Sequence, residues 1–225
     1  MISIVSVVLA ISVTGLAGAR QRAVTIRGLA NLSSVQRGFT AYTADFKDTF
    51  PCLIAPAEAS RTVVSGPWTT TVRYFDQAIY WHLFLAESYF GVPWDSKSIQ
   101  PGNAPGGLVN AFWYCHTFVT APEYWNLDLR TGPSQRRSTR SDEVLFPSAK
   151  VGVITSPAWN TVGREGRMSP FTLAANVDGS ASRQDVESFV SGLMPGPDAI
   201  ADGATEMIWP GMGTPGGVRG RDARP

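Results

Sequence analysis

Two histidines, His82 and His116, and two cysteines, Cys52 and Cys115, are the chain's strongest metal-binding and nucleophilic side chains. A zinc site needs finger-like pairs of such ligands, or a His-Glu-x-x-His helix, and neither pattern is present. Adjacent Cys115 and His116 would point to opposite faces of a strand, so one metal could not take both. No Gly-x-Ser-x-Gly elbow, Walker loop or dinucleotide fingerprint occurs. The pair Asp142-Glu143 has the groups for acid–base work, although solvated loop carboxylates are the commoner reason for such a pair. Asp178, with Asp185 and Glu187 nearby, offers oxygen ligands to a calcium ion, while a turn aspartate equally bonds its own backbone. Cys52 and Cys115 form one disulfide if they meet in an oxidising compartment, and two buried free thiols if they do not. The residues call for no cofactor beyond that calcium, and nothing among them argues for an enzyme.

With catalysis unsupported, the bulk properties narrow the class. The 225 residues suit one domain with an appendage, and 19 basic against 18 acidic side chains leave a net charge of +1. That balance gives no steering towards nucleic acid. Charged residues make up 16% of the chain while Gly (22) and Pro (16) are generous, which suits a loop-rich protein outside the cytoplasm. The unusual segment is the start. Ile2–Ala19 is 18 residues without a charge, followed by Arg20, Arg22 and Arg27. A helix of about 20 apolar residues spans a bilayer. A secretory signal cleaved after Ala17-Gly18-Ala19 competes with that reading, although it lacks a positive n-region. A buried core helix is the third reading.

The pattern beyond Ala19 bears on the choice. Ala19, Ala23, Ile26 and Ala30 follow one another at steps of four, three and four, which is one helix face. Leu32, Val35, Phe39, Tyr42 and Phe46 form a second stripe on nearly the opposite side. One helix running from the start to Asp45 would then turn one face to lipid or neighbouring subunits and the other to its own head. A loop near Asn31 between two short helices fits the periodicity equally well. Phe50-Pro51 is the expected stop, because the residue before proline avoids the α region.

The rest reads as a head. Pro51–Pro67 is loop-like. The aromatic stretch Trp68–Trp94 contains a short amphipathic helix over Tyr74–Tyr89, with Ile79, Leu83 and Ala86 at helical spacing. Its rings suit a core better than a carbohydrate or base-stacking platform. Pro101–Gly107 reads as a loop, Val109–Val119 as a strand, and Arg130–Arg140 as an exposed basic segment. Val144–Phe146 and Val151–Thr155 are short strand candidates. Phe171–Val177, the turn Asp178-Gly179 and Ser180–Val186 read as a hairpin. The Gly- and Pro-rich end is expected to be flexible. The expected fold is α+β, a long N-terminal helix packed on a small antiparallel sheet. Its parts are an anchor (1–19), a stalk (20–50), a globular head (51–194) and a tail (195–225).

Ala19-Arg20, Asn31-Leu32, Tyr42, Asp45 and Phe50-Pro51 resemble the post-anchor segment of bacterial prepilin-type proteins. More closely, the chain is similar to the G-type pseudopilin-like set expanded in planctomycetes and their relatives. Downstream, Asp142-Glu143-Val144 with Pro147-Ser148 resembles that set's strand entry, and Ala175–Gly179 its signature of histidine, nine residues and Asp-Gly. The likeness runs from Met1 to about Val186. The family's cysteine falls on Gly28 and its histidine on Met168, so that histidine's role does not carry over. The Gly-Phe-Thr-x-x-Glu processing site is missing, and by register the chain begins about eight residues inside the family's helix. Either the start lies too far downstream or prepilin peptidase does not process this member; the missing n-region favours the former.

The resemblance implies a pilin-like subunit of a type II secretion pseudopilus or related filament. It would be single-pass in the inner membrane, with its head in the periplasm or on the cell surface. Its partners would be other pilin-like subunits and secretion-system inner-membrane components. The helix positions implied in anchoring and assembly are Ile4, Val8, Ile11, Gly15, Gly18, Ala19, Ala23, Ile26 and Ala30, with small residues permitting close approach. Asn31, Leu32, Asp45, Pro51, Asp178 and Gly179 carry the family motifs. The alternative is a secreted carbohydrate-binding or other interaction module released after Ala19.

Overall fold

A computed structural model describes residues 2–65, 68–99, 110–156, 170–190 and 211–223, with 2–15 and Ala17 described as helical backbone alone. The first element, α1 (Ile2–Asp45), is one helix of 44 residues, about 66 Å long at the standard rise. No loop interrupts it near Asn31. Gly28, Leu32, Val35 and Phe39 are all buried, and these head contacts hold the helix straight through that region. It stops at Asp45, earlier than Phe50-Pro51. Lys47 and Asp48 take the left-handed conformation, with φ of 54° and 61°. The Asp48 N–H then donates to Thr43 O at 2.9 Å, which satisfies one of the helix's last carbonyls.

A hairpin follows, β1 (Ser60–Ser65) with β2 (Trp68–Arg73), in which Val63 stands opposite Thr70. The sequence reading placed Ser60–Ser65 in a loop. Its β-branched residues Thr62, Val63 and Val64 face Thr69, Thr70 and Thr71, a pairing that favours strands without an apolar alternation to reveal it. The expected helix over Tyr74–Tyr89 is two pieces, α2 (Gln77–Tyr80) and α3 (His82–Phe90). Its buried face also differs from the expected one. Gln77, Ala78, Trp81, His82, Leu85 and Ala86 point inward, while Ile79 and Leu83 are only half-buried.

The main sheet is a four-stranded antiparallel meander in the order β3 (Phe112–Tyr114), β4 (Val151–Thr155), β5 (Phe171–Asn176), β6 (Ala181–Asp185). Of the expected Val109–Val119 strand, Phe112–Tyr114 pairs among the described residues; Val109 lies outside them, and His116–Val119 turns into a 3-10 helix. Val144–Phe146 is not a strand; it links the 3-10 turns Ser141–Glu143 and Pro147–Ala149. The β5–β6 hairpin forms as expected, with Phe171 opposite Asp185. The register between β4 and β5 shifts between Val151 and Val153, which leaves Gly152 as the extra residue of a bulge. Every residue of β4 and nearly all of β5 is buried. β6 is polar and half exposed, and forms one edge of the sheet.

The head half of α1 lies across β4, β5 and β6 and beside α3. Two glycines permit that approach. A β-carbon on Gly38 would collide with the Phe90 ring, and one on Gly152 with Gln36 Oε1. Phe39 fills the junction, its ring edge-on to Trp81 at 5.1 Å and to Tyr114 at 4.7 Å. This is an α+β fold with a long N-terminal helix on an antiparallel sheet.

Two further expectations are corrected here. Arg130–Arg140 is largely half-buried, because its arginines are spent on internal contacts. Arg130 donates to Tyr124 O at 2.8 Å, and the Arg136 guanidinium lies 4.8 Å from the Tyr74 ring centre. The expected flexible tail does not describe 211–223, where Met212, Val218 and Asp222 are buried. That segment inserts beside β4. Asp222 N–H donates to Ala149 O at 2.9 Å, and Val190 N–H donates to Asp222 O at 2.7 Å. The expected loop Pro101–Gly107 and the start of the tail lie outside the described residues, as does Met168.

Candidate functional site

α1 changes sides along its length. Gly18, Ala19, Ala23, Ile26 and Ala30 are exposed, and a β-carbon on Gly18 would meet nothing within 4 Å. Leu16 is 72% and Ile26 66% exposed, high values for large apolar side chains. From Leu32 onward the inward face is closed: Leu32, Val35 and Phe39 have no exposed surface. Tyr42 is half-buried. Phe46, expected inside, is 48% exposed, because the helix ends before the head reaches it. It stacks on Tyr42 instead, with ring centres 4.2 Å apart. The side chains of Ile4, Val8, Ile11 and Gly15 lie outside the described residues. Among the described residues, no helix is long and apolar enough to cross a membrane.

Two of the motifs, Asn31-Leu32 and Asp178-Gly179, lie where the helix meets the β5–β6 turn. Asn31 donates to Lys97 O at 3.5 Å, and its neighbour Ser33 donates its hydroxyl to Gly179 O at 3.1 Å. The Asn31-Leu32 and Asp178-Gly179 motifs, far apart in sequence, therefore dock at one junction. Asp178 Oδ1 accepts from Ser180 N–H at 2.9 Å and from its hydroxyl, so the aspartate closes its own turn. Among the described residues no group of three His, Cys, Asp or Glu stands where it could hold a metal, and Asp185 and Glu187 do not join Asp178. Asp45 accepts from the Tyr89 hydroxyl at 3.3 Å, tying the end of α1 to α3. Pro51 is buried beneath the exit.

The other polar candidates are structural. Cys52 and Cys115 are free thiols. Burial pushes the Cys115 thiol well up, which holds it protonated and poorly nucleophilic. Burial lowers His116 to about 4, partly offset by the hydrogen bond that its Nε2–H donates to Phe75 O at 3.1 Å. Glu143 receives both terminal nitrogens of Arg137, and these bonds hold its carboxyl below the usual range. Asp142 pairs with Arg140 at 3.2 Å. The aromatic stretch is mainly core, with Tyr74, Phe75 and Trp81 fully covered; Trp68, on the β1–β2 hairpin, is 48% exposed.

One pair escaped sequence reasoning. Lys150 Nζ donates to Asp222 Oδ1 at 3.1 Å, Thr214 Oγ1 at 3.2 Å and Gly217 O at 3.0 Å. The other carboxylate oxygen, Asp222 Oδ2, accepts from Val151 N–H at 2.6 Å. Both side chains are 0% exposed. Burial pushes the Asp222 carboxyl up to about 6, against the pull of Lys150. No local spacing links residues 72 apart, and the segment's Gly and Pro content pointed away from burial. No protein-family model matches the chain, and neither a curated protein nor a solved structure does.

Proposed function

We propose that this chain is a pilin-like structural subunit that acts by anchoring and helix-to-helix assembly, not by catalysis. The observation that supports this reading is the change of sides along α1. Among the described side chains, Leu16 and most of Gly18–Ile26 are exposed, and from Leu32 the inward face is sealed against the head. A helix with a large uncovered apolar stretch needs another surface, and lipid or neighbouring helices provide one. The uncharged run Ile2–Ala19 would lie in the inner membrane, and the head would stand on its periplasmic side. Assembly would then bury Ala19, Ala23, Ile26 and Ala30 between subunits.

Fractionation with site-directed crosslinking tests the proposal. The chain is expected in the membrane pellet and released by detergent. An Ile26→Cys variant is expected to give a disulfide-linked dimer in the membrane, while Arg37→Cys, on the exposed head part of α1, is not. Recovery of the whole chain as a soluble monomer beginning at Arg20 would sink the proposal.

A further inference from the structure

Lys150 and Asp222 are sealed from solvent, yet an apolar pair of similar volume would hold the segment at comparable or lower cost. Their surroundings resemble a reaction site more than a simple tie. An amine nitrogen stands 3.1 Å from one carboxyl oxygen, and a backbone N–H meets the other at 2.6 Å. A hydroxyl, Thr214 Oγ1, lies 3.2 Å from the same nitrogen. We propose that Lys150 and Asp222 condense into an intramolecular amide that bolts the C-terminal segment to the start of β4.

The chemistry balances within the pair. A proton passes from the ammonium to Asp222 Oδ1, giving a neutral amine and a neutral acid with the proton count unchanged. A dry interior disfavours separated charge, which raises the population of that neutral form. The amine lone pair then attacks Asp222 Cγ. The carbon–nitrogen bond forms as the C=O pair moves onto Oδ2, where the Val151 N–H meets the developing charge as an oxyanion donor. The nitrogen gives up a proton to Oδ1, its hydrogen-bond partner at 3.1 Å, and Oδ1 departs as water. Nothing is oxidised or reduced, and no co-reactant is needed. The fold supplies the rate, because a buried amine and acid held in contact have a very high effective concentration. The bond would close a loop between residues 72 apart and keep 211–223 seated when the head is pulled.

Intact-mass measurement and peptide mapping of the folded full chain test this, independently of the assembly proposal. The native protein is expected to be one water lighter than its sequence, with a branched peptide joining Lys150 to Asp222. Asp222→Asn is expected to lose ammonia instead and arrive at the same branched peptide. Lys150→Arg is expected to keep its full mass. A native chain shown folded by circular dichroism, at full mass after prolonged incubation and with separate Lys150 and Asp222 peptides, would overturn the proposal. So would a lost water that persists in Lys150→Arg, since ring closure at Asp178-Gly179 would then be its source.

Discussion

The hydroxyl of Ser33, on the long helix, donates to the carbonyl of Gly179 in the β5–β6 turn at 3.1 Å. This bond lies beside Leu32, the first fully buried residue of the inward stripe, so it marks where stalk becomes head. Upstream, Gly28 is buried and Leu29 half-buried, and the described side chains from Gly18 to Ile26 are exposed apart from half-buried Thr25. Downstream, Leu32, Val35 and Phe39 make it part of the core.

Phe39 and Phe46 separate the part of α1 that stabilises the head from the part that does not. Phe39→Ala removes a ring with no exposed surface, packed on Trp81 and Tyr114, and is expected to cost about 3–5 kcal/mol. Phe46→Ala removes a half-exposed ring stacked on Tyr42 and is expected to cost less than about 1 kcal/mol. Urea midpoints of the two variants check the contrast.

That contrast also shows how far periodicity can be read. The stripe Leu32–Phe46 is regular in sequence, so a spacing rule assigns all five positions alike. Burial fails at Phe46 because the chain leaves the helix through left-handed Lys47 and Asp48, and of these only Asp48 is a residue type that tolerates that conformation. The β5–β6 hairpin was legible because Asp178-Gly179 encodes its turn chemistry locally. The β1–β2 hairpin was not, since Thr opposite Thr stabilises a sheet without an apolar stripe. The Lys150–Asp222 pair was invisible for a different reason: its environment is built from segments brought together only by folding.

Gly38 and Gly18 lie in the same helix and are expected to respond oppositely to alanine. Helix propensity alone favours each change by up to about 1 kcal/mol. At Gly18 nothing stands within 4 Å of the new β-carbon, so Gly18→Ala is expected to leave head stability unchanged or slightly raised. At Gly38 the methyl would collide with the Phe90 ring, which packs on Phe39 and Trp81. Overpacking of that kind costs about 1–3 kcal/mol, so Gly38→Ala is expected to lower the thermal midpoint. An unchanged midpoint would mean that Phe90 moves aside freely.

The exposed stretch of α1 around Ile26 predicts a separation of function from stability. Ile26→Arg alters a side chain that is 66% exposed, so the thermal midpoint is expected to move by no more than about 0.5 kcal/mol equivalent. In the proposed assembly the same change places a charge between packed helices, and membrane-embedded complexes are expected to be lost. Thermal melts of the detergent-solubilised protein and crosslinking in native membranes read the two effects separately.

His116 predicts how the head responds to acid. Its folded-state value of about 4 lies below the ordinary 6.5, because burial disfavours the charged ring. The unfolded chain therefore binds the proton first, and this group's contribution is fully present above pH 6.5 and lost as pH falls towards 4. Allowing for the partial exposure of the side chain, the loss amounts to about 2 kcal/mol. Asp222 acts in the opposite sense. While its carboxyl is free, burial raises its value from 3.8 to about 6 and its titration favours the fold increasingly as pH falls through that window; once joined to Lys150 it no longer titrates. The difference between native and His116→Gln isolates the histidine, whether or not the Asp222 carboxyl is free. That difference is expected to rise between pH 4 and pH 6.5 and to be flat above it, read from urea midpoints across the range. A difference that does not vary with pH would show that the His116 ring is protonated as readily in the fold as in water.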